Sequence, residues 1–125
     1  MQNAVFDNTI SLLATTMDYA VRRHQVIAAN LANVETPNYK AKDLPFEALL
    51  RSAVVRARGN PKASLRVGEP KLVYDVTGEL RGDGNNVNAE NEMIKLLKNS
   101  GKFNLAAELI QYKFRSLREA MRPIS

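Results

Sequence analysis

Three features of this 125-residue chain come nearest to reactive chemistry: one histidine, His24, scattered serines, and the run Gly82-Asp83-Gly84-Asn85. A lone imidazole works as a general base only when an acidic group orients it, and no acidic residue lies one helical turn from His24. The absence of cysteine excludes thiolate metal sites and disulfides, and a single histidine excludes a histidine-rich zinc site. The Gly82–Asn85 run hints at a calcium or phosphate loop. It lacks the spaced carboxylates and closing glutamate of an EF-hand and the lysine of a P-loop, so a tight turn into a helix cap explains it better. Ser11, Ser52, Ser64 and Ser100 stand in no nucleophile motif. The residues therefore predict no enzyme, no metal and no cofactor.

Charge is concentrated in one place. The net +5 resides in residues 51–71, where Arg51, Arg56, Arg58, Lys62, Arg66 and Lys71 face Glu69 alone. Gly59, Asn60, Pro61, Gly68 and Pro70 punctuate that stretch, which reads as a solvated connector. A nucleic-acid footprint is the sharper reading, but no aromatic residue is interleaved for base stacking, so no nucleic-acid partner is expected. No apolar run approaches the roughly 20 residues that span a bilayer. Residues 1–17 carry Asp7 and no basic segment, which argues against a cleaved secretory signal.

The elements that position these residues are two long amphipathic helices. Ile10, Leu13, Met17, Ala20, His24, Ile27, Leu31 and Val34 follow alternating steps of three and four, and so do Met93, Leu96, Ser100, Phe103, Ala107, Ile110, Phe114, Leu117 and Met121. Such steps keep a narrow seam facing one partner helix, which predicts a mainly α fold built on two long helices, one at each end of the chain. Pro37 closes the first helix; Asn88 is placed to cap the second, with Glu90 and Glu92 in its first turn. The division is then 1–36, a first helix; 37–87, a connector; and 88–125, a second helix. If the two helices pair antiparallel, matching heptad positions sets Ile10 against Leu117, Leu13 against Phe114, Met17 against Ile110 and Ala20 against Ala107. His24 then meets Phe103, Ile27 meets Ser100 and Leu31 meets Leu96. A slip of seven residues keeps the heptad but sets Ala20 against Ser100, so the small–small contact favours the first register.

The seams leave apolar residues over. Leu12, Tyr19 and Val26 recur on the back of the first helix, and Leu105, Leu109 and Tyr112 on the back of the second. The connector has few large apolar residues to cover them, so neighbouring copies are expected to do so. Within the connector, Phe46, Leu49 and Leu50 suit one short helical turn, and residues 65–67 and 71–76 read as short strands that pair as a hairpin.

Ala28-Ala29-Asn30-Leu31-Ala32-Asn33-Val34-Glu35-Thr36-Pro37-Asn38-Tyr39 resembles the signature of the bacterial flagellar axial proteins, with matches at Asn30, Ala32, Asn33, Thr36, Pro37 and Tyr39. Asn38 stands where glycine is usual, and asparagine also tolerates positive φ. Asp83-Gly84-Asn85-Asn86-Val87 with Glu90, Glu92 and Met93 is similar to the proximal rod type within the flagellar basal-body rod family, as is Phe6-Asp7-Asn8-Thr9-Ile10.

This resemblance implies a structural subunit of the proximal rod, in which the terminal helices pair as an antiparallel coiled coil and pack in helical array around a narrow channel. It implies export through the flagellar type III apparatus without a cleaved signal, with Phe6 and Ile10 resembling the pair recognised by the export gate. The packing alternative for Phe6 and Ile10 is the first turn of the apolar seam. Implied partners are copies of the chain, other rod subunits, and the inner-membrane ring and rod-adaptor proteins at the base, all in the periplasmic basal body. Two other readings stand beside it: a different coiled-coil subunit or adaptor of the flagellar or type III apparatus, and a basic nucleic-acid-binding protein acting through residues 51–71.

Overall fold

The computed structural model describes residues 2–60, 62 and 65–123, with side chains from Asn8 onward. Two long helices dominate: α1 (Gln2–Ala32) and α3 (Ala89–Ala120), each spanning about 46–48 Å at 1.5 Å per residue. Between them lie β1 (Lys42–Asp43), α2 (Glu47–Gly59) and β2 (Val73–Tyr74). α1 and α3 pack antiparallel, since Asn30 near the end of α1 meets Glu92 at the start of α3. Asn88 caps α3 as its sequence position anticipates: its side chain accepts from the Asn91 amide at 3.1 Å, and Glu90 and Glu92 sit in the first turn.

α1 stops at Ala32, ahead of the stop that Pro37 alone suggests. The Asn33 amide side chain donates back to the Ala29 carbonyl at 2.8 Å and its oxygen accepts the Thr36 hydroxyl at 3.0 Å, so the chain turns before the proline is reached.

The register of the helix pair corrects the sequence expectation. Asn99 donates to the Ala20 carbonyl at 2.6 Å, so Ala20 faces Asn99 and not Ala107; α3 is slid by roughly two turns, near the slipped heptad that the Ala20–Ala107 contact disfavours. The inward line of α3 is Glu92, Asn99 and Ala106, one residue ahead of Met93, Ser100 and Ala107. Buried hydrogen bonds from two asparagines fix this register, and a scan of apolar residues does not register them. Of the expected seam, Ala20 and Ile27 are buried and Leu13, Met17, Leu31, Leu96, Ser100, Phe103, Ala107 and Ile110 are half-buried, while His24, Met93, Phe114, Leu117 and Met121 are exposed.

The connector departs further. The single helical turn expected at Phe46–Leu50 is a 13-residue helix, because Leu49, Leu50, Ala53, Val54 and Ala57 continue the inward face and Arg56 and Arg58 suit its C-terminal dipole. The strand within 71–76 pairs not with 65–67 but with β1, antiparallel, Lys42 opposite Tyr74 and Asp43 opposite Val73. One side chain selects that partner: Asn86 accepts from the Ala41 amide at 2.7 Å and donates to the Asp75 carbonyl at 3.0 Å, bridging the two strands.

The connector also covers the back of α1. Tyr19, Ala20 and Phe46 form a buried cluster with Leu50, Val67 and Phe103 packed on it. The Tyr19 and Phe46 rings meet edge to face, centroids 6.0 Å apart, and the Tyr19 hydroxyl donates to the Gly68 carbonyl at 2.8 Å. Two aromatics and a handful of aliphatics suffice on this side. The back of α3 stays open, with Leu105, Leu109 and Tyr112 exposed.

Candidate assembly site

The two sequence motifs, one at the end of α1 and one just before α3, meet at the closed end of the helix pair. Asn30 is its centre and is fully buried. Its side-chain nitrogen donates to the Lys42 carbonyl at 2.7 Å and to Glu92 Oε2 at 3.0 Å. Its oxygen accepts the Tyr39 hydroxyl at 3.1 Å and the Lys42 amide at 3.0 Å. Two donors and two acceptor positions are all used, so this amide ties α1, β1 and α3 with nothing left unsatisfied.

Charged groups extend the clasp. Lys95 Nζ lies 3.0 Å from Glu92 Oε1 and pairs with Asp75 as well. Burial pushes the Asp75 carboxyl up, but hydrogen bonds from Lys95 and Thr77 outweigh it and hold it at about 2. Burial lowers Lys95 and its two carboxylate partners more than reverse that, leaving it raised. Burial, with Glu92 nearby, raises the Tyr39 phenol. Arg23 makes a bidentate pair with Asp43 at 2.9 and 3.0 Å, anchoring β1 to α1.

The second motif closes the loop that follows α1. Asn85 is buried and donates to the carbonyls of Asn33, Val34 and Thr36 at 2.9, 3.2 and 2.8 Å, while its oxygen accepts the Val87 amide at 2.7 Å. Arg81 also donates to the Val34 carbonyl. The Asp83 carboxylate accepts from the Asn85 amide at 3.0 Å, which lowers its pKa. Asn38 and Gly84 both sit at positive φ, 64° and 82°, and lie against each other; a Cβ on Gly84 would come 2.3 Å from Asn38 Oδ1. The asparagine found where glycine is usual therefore adopts the left-handed turn.

Asn30, Asn33, Thr36 and Tyr39 are thus brought together with Asp83, Gly84, Asn85, Asn86 and Val87. Ala32 and Pro37 are exposed beside them. Ile10 is half-buried toward the opposite, open end of α1; the Phe6 side chain lies outside the described residues. Sequence reasoning missed Asn99, Lys95, Asp75 and the Arg23–Asp43 pair, and saw Glu92 as a first-turn acid and a signature residue, not as the buried partner of Asn30. The available signal was the seven-residue spacing of Glu92, Asn99 and Ala106, a polar line that an apolar scan skips.

Among the described residues no three His, Cys, Asp or Glu side chains gather as a metal site, and no helix is long and apolar enough to cross a membrane. Beside Asn99 an open groove of about 450 Å³ runs between α1 and α3, lined by Ala20, His24, Ser100 and Phe103. Past it, α3 carries Phe114, Leu117 and Met121 into solvent at 50, 39 and 73% exposure. A rigid closed end and an apolar open end suit packing against other helices.

Known proteins point the same way. Residues 13–40 match the family described as flagella basal body rod protein. The chain is similar to flagellar basal body rod protein FlgB of Aquifex aeolicus, 33% identical over 72% of this chain and 73% of the relative. It is 29% identical to FlgB of Borrelia hermsii over 90% and 95% of the two chains, and 29% identical to FlgB of Bacillus subtilis over 94% and 96%. With a clasp that joins its two motifs and a helix pair that leaves an apolar stripe to be covered, the chain belongs to the flagellar basal body rod protein FlgB family and is a structural subunit of the proximal rod.

Proposed function

We propose that this subunit leaves the cytoplasm through the flagellar type III export apparatus and polymerises in the periplasm with copies of itself and other rod subunits, on the inner-membrane ring and rod-adaptor proteins. It performs no catalysis and takes no nucleic acid. The regions 1–36 and 88–125 build the rod wall as a coiled-coil pair, and 37–87 forms its outer cover. The observation that carries this reading is the contrast between a closed end with satisfied polar groups and an α3 whose last turns expose Phe114, Leu117 and Met121. Such a stripe requires covering by another chain.

Phe6 and Ile10 form the pair that the export gate recognises. Replacing Phe6 with Ala should abolish secretion while the protein remains soluble inside the cell. Secretion at the parental level would restrict Phe6 to packing. Imaging of basal bodies from cells lacking the chain tests the wider role: the rod should be missing above the inner-membrane ring.

A further inference from the structure

The two-stranded sheet has two edges, and the chain treats them differently. Asp75 donates its amide to the Ala41 carbonyl at 2.9 Å, which makes Ala41 and Asp75 a hydrogen-bonded pair of the antiparallel ladder. Opposed residues alternate between pairs that exchange hydrogen bonds and pairs whose amides and carbonyls point outward. Lys42 and Tyr74, the next pair along, are of the second kind. Lys42 therefore turns its main chain to the outer edge of β1, and Tyr74 to the outer edge of β2.

On β1 that edge is closed. The Asn30 side chain accepts from the Lys42 amide at 3.0 Å and donates to the Lys42 carbonyl at 2.7 Å, so it stands where a third strand would. On β2 the edge is open. Among the described residues, the amide and carbonyl of Tyr74 make no hydrogen bond, and neither do those of Leu72 and Val76, two positions to either side. The side chains along it are apolar and uncovered: Leu72, Val73, Tyr74 at 68% exposure and Val76 at 82%. No proline interrupts residues 71–76, although folded chains commonly shield such an edge with one.

The charges there are mostly spent. Asp43 is held by Arg23, and Asp75 by Lys95, which also pairs with Glu92. In the strands and their flanks, residues 40–43 and 71–79, this leaves Lys40, Lys42 and Lys71 without a carboxylate partner among the described residues, against Glu79. The free charge on β2's own edge is Lys71.

We propose that β2 is a docking edge that takes an extended segment of a different protein as a third strand, apolar at alternate positions and with a carboxylate beside Lys71. Main-chain hydrogen bonds to Leu72, Tyr74 and Val76 supply affinity, and the exposed side chains select the sequence that is added. Six residues, 71–76, offer an edge of about 20 Å. A second copy of this chain is the poorer occupant: its own residues 71–76 bring no free carboxylate to Lys71, and pairing them parallel in register sets Lys71 against Lys71. This edge is separate from the α3 stripe, so the inference goes beyond the rod-wall role and does not depend on it.

The experiment uses the full chain and a capped fluorescent peptide of about eight residues, one aspartate followed by alternating valine and threonine. Its anisotropy should rise saturably with the subunit. Two further probes carry N-methyl groups on the valine amides or on the threonine amides. An added strand turns one alternate set of amides to the edge, so one methylated probe should bind like the first and the other about tenfold more weakly or worse. On the protein, Tyr74→Pro removes the outward amide and no ladder bond, whereas Tyr74→Thr removes the ring and keeps the amide. Binding should be about tenfold weaker in Tyr74→Pro than in Tyr74→Thr. Circular dichroism and exchange of the Asp75 amide check that the sheet is intact; if Tyr74→Pro disturbs it, Leu72→Pro against Leu72→Thr replaces that pair.

No binding at roughly millimolar probe overturns the proposal. So do equal affinities for the two methylated probes, or equal losses in the Pro and Thr variants, since each takes the backbone out of recognition. A parent that dimerises without probe, and ceases to in Tyr74→Pro, assigns the edge to a second copy and overturns the different-chain occupant. None of these measurements involves the basal body, so failure here leaves the rod role to the secretion and imaging tests.

Discussion

The closed end and the open end of the same helix pair are built on opposite principles. At the closed end Asn30, Asn85 and Asn86 each bridge separate segments of chain, and their buried polar atoms find partners. At the open end α3 carries aromatic and aliphatic side chains into water, with Lys113, Arg115, Arg118 and the Arg122–Glu119 pair around them. A buried polar network specifies one geometry and is intolerant of change. An apolar stripe is tolerant within the monomer, and its contribution appears when another chain arrives. The difference separates what holds the subunit in shape from what joins it to neighbours, and it can be tested from both sides.

Among changes at the closed end, the largest effect should come from the clasp. Asn30→Ala removes four hydrogen bonds at a site with no exposure, stranding the Tyr39 hydroxyl, the Lys42 backbone and one oxygen of Glu92. A cost of about 3 kcal/mol is expected, read as a lower midpoint in urea and as faster hydrogen exchange in β1, β2 and the first turns of α3. Asn30→Asp should be at least as damaging, since it sets a second carboxylate beside Glu92. Equal protection in parent and variant would break the contrast between the two ends.

Next comes the turn where Asn38 and Gly84 touch. Gly84→Ala places a methyl group 2.3 Å from Asn38 Oδ1 at a φ of 82°, and should cost about 1–3 kcal/mol. Asn38→Gly keeps the left-handed φ of 64° available and should change stability by less than about 0.5 kcal/mol. Comparable losses from both would mean that the side chains, and not the backbone conformation, set the turn.

These two cases also show what the sequence made legible. The long helices, the Asn88 cap and the left-handed turn at Asn38 could be read because each has a local cause: periodicity, a side chain three residues from its target, a residue that tolerates positive φ. The helix register could not be read, because it depends on Asn99 reaching the Ala20 carbonyl across 79 positions of sequence. The β1–β2 pairing had the same difficulty, being selected by Asn86 from outside both strands. The cover over Tyr19 was underestimated because a count of apolar residues gives no weight to one well-placed Phe46, helped by a hydroxyl bound to Gly68. Of the site, the motif residues were legible as a signature; that Asn30 and Asn85 belong to one structural unit was not.

The acid response should be smaller and should again come from the closed end. Asp75 has its carboxyl held at about 2 against an ordinary 3.8. A depressed acid contributes stability that is complete above the ordinary value and is lost as pH falls through the folded one. Stability should therefore decline between about pH 4 and pH 2, by roughly 1–2 kcal/mol from this group after allowing for solvent screening. In Asp75→Asn that part of the decline should vanish, leaving Lys95 on Glu92 alone. An unchanged acid profile in the variant would show that Lys95 does not stabilise the ionised carboxylate.

The smallest effect on the isolated subunit should come from the open end, and there the comparison is sharpest. Phe46 and Phe114 are the same residue in opposite settings: one is 1% exposed under α1, the other 50% exposed on the last turns of α3. Phe46→Ala removes a packed ring and its edge contact with Tyr19, and belongs with core truncations of about 3–5 kcal/mol. Phe114→Ala removes a ring that is half in water already, and should shift the urea midpoint by less than about 1 kcal/mol. The order should reverse when association is measured. An aromatic that becomes covered at an interface is the type of residue whose truncation most weakens binding, so Phe114→Ala should lower self-association about tenfold or more at equal folded fraction. If Phe114→Ala instead unfolds the subunit as Phe46→Ala does, the last turns of α3 belong to the core and not to the interface. If it leaves both folding and association untouched, the stripe joins nothing.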